Sequence, residues 1–182
     1  MIPSGYMAKR VISRPEWLEA ERVADIYSVS TCMSKEFADY INYWKHNGYW
    51  LFDSPEIIRE IAKTNALGLT NTRLFYYEVH QFEFDENESV WKSFSPEPSF
   101  TTQIIEPKTK KLEGYDVVAF SVRTSPECSP LSCNSLATEV ETNQHCLLPS
   151  LEQAQDLLEQ GKFNNTEPGP FRIFAVYSVP WP

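Results

Sequence analysis

The chain is expected to fold as a single α+β domain, with a mixed, largely antiparallel sheet and helices packed on its faces. Three observations carry that expectation. Two nearly continuous apolar runs of strand length, YDVVAFSV at 115–122 and FRIFAVYSV at 171–179, suit interior strands covered on both sides. Helix starts recur at Ser34, at Ser54-Pro55 and at Ser150. Strand and helix signals alternate irregularly, without the repeating order that builds a parallel sheet.

In chain order, residues 1–12 read as a flexible leader and 13–182 as the domain. Ser13 stands three residues before Glu16 with Pro15 between them, a capping-box pattern that predicts a short helix over 15–21. The β-branched and aromatic stretch VADIYSVST predicts a strand over 23–31. Behind Ser34, the helical spacing of Phe37, Tyr40, Ile41 and Trp44 predicts a helix that Gly48 stops. Pro55 opens a second helix reaching about Thr64. RLFYYEVHQFEFD at 73–85 reads as one long strand with apolar bulk on both faces. A short strand is expected over 100–105, and Lys108, Lys110 and Lys111 read as a solvated hairpin tip. Two helices fall between the apolar runs, one beginning near Pro130 and one over 151–160. The second is capped by Ser150 with Gln153 at the reciprocal position, and stopped by Gly161.

At 182 residues the chain is long enough to bury a substantial core. Its 25 acidic and 16 basic residues leave a formal charge of -9, which repels phosphate backbones, so nucleic acid is not an expected partner. No run of about 18 apolar residues is present, and no membrane span is expected. With no secretory pattern at the N-terminus, a cytoplasmic location and reduced cysteines are expected.

Chemistry is expected to gather in 126–150, which holds three of the four cysteines. Cys128, Cys133, His145 and Cys146 are poorly spaced for a tetrahedral metal site, so neither metal nor cofactor is expected. A thiol-enzyme reading takes Cys128 or Cys133 as nucleophile, His145 as base and Asn134 or Glu127 as its orienter. Cys128 is the preferred nucleophile there, because Cys133, Leu136, Ala137 and Val140 fall at the spacing of a buried helical stripe. Glu78 and His80, two apart beside Tyr76, are read as a mutually satisfied polar pair more readily than as a general base. The chain has no phosphate loop, dinucleotide fingerprint, zincin or nucleophile-elbow motif.

The leading expectation is a non-catalytic acidic binding protein, of inhibitor or immunity type, that captures a basic protein. Its contact residues would be Tyr43, His46 and Tyr49 beside the acidic group Glu83, Asp85, Glu86 and Glu88. The cysteine-dependent enzyme is the alternative.

Overall fold

A computed structural model of the chain describes residues 1–30, 32–33, 47–95, 103–121 and 126–182, and the backbone of 35–36. Its organising strand is the most apolar one. Strand β9 (Phe171–Val179) takes β8 (Lys111–Ala119) along one edge, in register from Lys111 opposite Ser178 to Ala119 opposite Phe171. Its other edge takes β5 (Arg73–Val79) and then β6 (Phe82–Asp85), where Phe84 lies opposite Phe171. Strand β1 (Ile2–Arg10) pairs with β5, β4 (Lys35–Glu36) with β1, and β7 (Val90–Ser93) with β6. A separate two-stranded ribbon joins β2 (Ile12–Ser13) to β3 (Asp25–Ile26). Among the described residues every pairing is antiparallel.

Alternation along the central strands feeds two apolar clusters. Phe174 and Val176 of β9 join Val118 and Phe120 in the first, which also holds Ile58, Ile61 and Ala62 of α1 (Pro55–Thr64). Phe171 and Ile173 join Val117 and Ala119 in the second, with Ala154 and Leu158 of α3 (Leu151–Glu159). Ser150 caps α3, its Oγ accepting from Gln153 N at 3.1 Å. The Gln153 side chain does not return the bond but donates to Glu141 O at 3.1 Å.

Several expectations are corrected. Residues 1–12 are not a leader, since Tyr6, Met7, Ala8 and Lys9 of β1 are buried and β1 closes the edge of β5. That segment has few β-branched residues, so its strand character comes from a partner 70 residues away. The helix expected over 15–21 is replaced by turns, with Leu18, Ala20 and Val23 drawn into the second cluster. Of the described residues 23–30, only Asp25–Ile26 pairs as strand. The strand expected over 73–85 breaks at His80 and Gln81, between its pairing with the two ends of β9. The helix at Pro130 is a single turn, α2 (Pro130–Cys133), ended by Ser135 at φ +60 before a 3-10 turn at Leu136–Thr138. Cys133 therefore does not share one helical stripe with Leu136 and Val140. Lys108, Lys110 and Lys111 are exposed, as a solvated tip requires, but Lys110 Nζ also pairs with Glu78 and lies 4.6 Å from the centre of the Tyr177 ring. Most of the helix expected behind Ser34, residues 37–46, lies outside the described residues, but Lys35–Glu36 in its expected first turn pair as β4 instead; residues 100–102 of the expected short strand are also outside, and 103–105 are irregular.

Gly114 makes a close crossing possible. Beside it Tyr115 pairs with Leu148, which brings the segment after residue 143 against β8. At φ +147, a Cβ on Gly114 would lie 2.7 Å from Leu147 Cβ and 2.9 Å from Leu148 O. Gly114→Ala is expected to cost about 2–4 kcal/mol through backbone strain and displaced neighbours. Urea unfolding monitored by tryptophan fluorescence checks this, through a lower midpoint at unchanged slope.

Candidate functional site

The site begins with a buried cation. Lys9 of β1 is 1% exposed, and its ammonium donates to three successive carbonyls: Ser28 O at 2.8 Å, Val29 O at 2.6 Å and Ser30 O at 2.9 Å. These three carbonyls turn inward to the ammonium, which bends the chain after β3. The amide of Val29 in turn donates to Asp116 Oδ2 at 2.8 Å. That same oxygen accepts from Ser129 Oγ at 2.6 Å, while Ser30 N donates to Ser129 Oγ at 3.3 Å. Burial raises the Asp116 carboxyl to about 6, against the opposing pull of Ser129, Val29 and Lys9. Lys9, the 28–30 loop, Asp116 and Ser129 thus form one buried polar network. It ties together two loops nearly a hundred residues apart in sequence.

Each of those loops ends in cysteine. Cys32 follows the first, and Cys128 and Cys133, joined by a disulfide, flank the second. The three sulfurs lie within 4.8 Å of one another. Cys128 is buried and fixed further by Ala119 N, which donates to its carbonyl at 2.8 Å; Cys133 is half-buried and Cys32 exposed. Ser30 Oγ is 2.9 Å from the Cys32 sulfur, and Asn134 Oδ1 is 3.3 Å from Cys128 Sγ. With Ser121, Glu127, Asn134 and Glu167, the sulfurs line a surface pocket of about 450 Å³. Glu127 Oε2 accepts from Ser121 N at 2.9 Å and Ser121 Oγ at 2.5 Å, which holds that carboxylate at the rim.

No protein-family model, curated protein or solved structure matches the chain. Among the described residues, no helix is long and apolar enough to cross a membrane.

The expectation of reduced cysteines is overturned for two of the four. The Ser129–Ser132 turn brings Cys128 and Cys133 together with Cα atoms 6.5 Å apart, a local closure that does not depend on how large the core is. Cys128, preferred as the nucleophile, is bonded and buried, so the exposed free thiol of the group is Cys32. Its proximity to the pair is purely tertiary, and no spacing in the sequence announces it.

The expected Cys/His/Asn set divides. Asn134 stays beside the sulfurs, whereas His145 belongs to another cluster: its Nδ1–H donates to Asp25 Oδ1 at 2.5 Å and its ring stacks on Tyr27 at 4.0 Å. Its Nε2 is 3.8 Å from Glu113. Burial opposes the Glu113 carboxylate, but hydrogen bonds from Ser178 and Lys111 outweigh it and hold its pKa below the usual value. Cys146 is buried, its thiol pushed up to about 12 chiefly by desolvation, and so is inert at neutral pH. Glu78 and His80 do not satisfy each other: Glu78 accepts from Tyr177 OH at 2.9 Å, and His80 Nδ1 lies 3.0 Å from Phe82 O.

The residues read as a docking face have partners within the fold. Glu83 pairs with Arg172 at 3.0 Å, Asp85 and Glu88 both pair with Lys92 at 2.8 Å, and Glu86 accepts from Gly169 N at 2.9 Å. Tyr49 is half-buried, and Tyr43 and His46 lie outside the described residues.

Proposed function

We propose that the protein is a thiol–disulfide redox protein whose centre is Cys32, Cys128 and Cys133. The observation that carries this reading is an exposed free thiol within 4.8 Å of both sulfurs of a disulfide. A thiolate that close to a disulfide is placed for exchange. The Cys32 thiolate attacks Cys128 Sγ, a new S–S bond forms between them, and the Cys128–Cys133 bond breaks. Its electron pair leaves on Cys133, and the proton given up by Cys32 returns to that sulfur through solvent. One disulfide replaces another, so no oxidant is consumed. Cys133 is the better leaving group, since it is the more exposed of the two and a thiolate is penalised by burial. A dithiol or glutathione-type reductant reaching the pocket then reduces the migrated bridge to leave three thiols, and a disulfide substrate that accepts those two electrons restores the Cys128–Cys133 bond.

Peptide mapping of native protein, alkylated without prior reduction, tests the proposal. Bridges from Cys32 to Cys128 are expected alongside Cys128–Cys133. Reduction by glutathione at near-neutral pH is expected to slow by about tenfold in Cys32→Ser, because the internal attacking thiol is gone. A single fixed Cys128–Cys133 bridge, reduced equally fast with and without Cys32, would reject the exchange reading.

A further inference from the structure

We infer that the reduced cluster binds Zn²⁺ through the thiolates of Cys32, Cys128 and Cys133. This inference rests on the redox reading in one respect, that the Cys128–Cys133 bridge can be opened in the folded protein.

Zinc–thiolate bonds of about 2.3 Å in a tetrahedron set the sulfurs roughly 3.8 Å apart. The three sulfurs already lie within 4.8 Å of one another, so opening the disulfide lets two of them separate towards that spacing without moving the loops. The loops are held in advance by the Lys9, Asp116 and Ser129 network, which limits the conformational freedom lost on binding. Glu127 and Glu167 line the same pocket, adding negative charge beside the cation, and the fourth position is left to solvent. Thiolate ligands select zinc over magnesium and calcium, which prefer all-oxygen sites.

The chemistry balances in two stages. A dithiol reductant supplies two electrons and two protons to the bridge and leaves as its own disulfide. The cation then displaces the thiol protons to solvent with no change of oxidation state. Zn²⁺ and oxidation thus compete for the same sulfurs, so oxidation releases the metal.

The test uses the full chain, reduced with a phosphine under anaerobic conditions and titrated with Zn²⁺ against a chromophoric chelator; Co²⁺ substitution reports sulfur ligation by its charge-transfer absorption. One ion per reduced chain is expected, and none for the oxidised chain. Cys32→Ser and Cys133→Ser are expected to weaken binding by at least about tenfold, with Cys146→Ser unchanged. Wild-type affinity in Cys32→Ser, or no binding by the reduced chain, overturns the inference. Bridge migration, mapped without metal, separates the two ideas. Migration without zinc binding removes only the metal site, whereas a bridge that resists reduction in the folded protein removes both.

Discussion

Lys9→Met is expected to lower folding stability by about 3–5 kcal/mol, the range seen when one partner is removed from a buried charged arrangement. Methionine fills nearly the same volume, so lost packing contributes little. The cost is electrostatic. Three carbonyls of the 28–30 loop lose the donor that turned them inward, and the buried Asp116 carboxylate loses a cation that opposes its desolvation. Urea unfolding gives the magnitude. A second readout separates this role from general destabilisation: under native conditions Cys32 of the variant alkylates at the rate of an unconstrained thiol, and its bridges to Cys128 diminish. A change within about 0.5 kcal/mol, typical of an ordinary surface substitution, would show that Lys9 does not organise the loop.

Asp116 is expected to make stability depend on pH by about 3 kcal/mol. Its pKa rises from 3.8 to about 6 on folding, and each unit corresponds to about 1.4 kcal/mol. Because the folded state holds the proton more tightly, the contribution is fully present below about pH 4 and lost as pH rises through 6. Glu113, whose pKa is lowered on folding, contributes with the opposite sign as pH falls, so the comparison is between wild type and Asp116→Asn. Asparagine replaces an acceptor that faces Val117 N with an amide donor and lowers stability at every pH. The diagnostic is the slope: the difference in unfolding free energy between the two proteins should shrink on going from pH 4 to pH 7. A constant difference would mean that Asp116 ionises normally in the fold.

The parts of this architecture that are local were legible in the sequence. Strand β9 matches its predicted run because nine residues broken only by Arg172 and Ser178 are apolar enough to suit an interior position. Helix α3 announces itself through Ser150 and Gly161, whose effects act within one turn. Strand β1 shows the opposite case. Only Tyr6 in SGYMAK favours a strand, and the segment becomes one because β5 offers an open edge. Pro15 and Glu16 fit a helix start, but burial of Leu18 and Val23 outweighs that weak preference. At the candidate site, the sequence pointed to Cys128, Cys133 and Asn134 because they are neighbours. It could not point to Cys32, whose place depends on Lys9 reaching three carbonyls from a strand read as leader.

The three-sulfur arrangement also links bridge identity to chain topology. The Cys128–Cys133 bond spans a sequence separation of 5, and a ring so small restricts the unfolded chain by only roughly 2 kcal/mol. A bond from Cys32 to either partner would enclose about a hundred residues and restrict it by roughly 5 kcal/mol. In the folded protein that difference is absent, because the sulfurs are already neighbours and the large ring is closed by the fold itself. Exchange between the two bridges is therefore nearly neutral in the native state and strongly biased towards the small ring in the denatured one. The bridge population becomes a covalent record of whether the chain was folded when its thiols were last free to exchange.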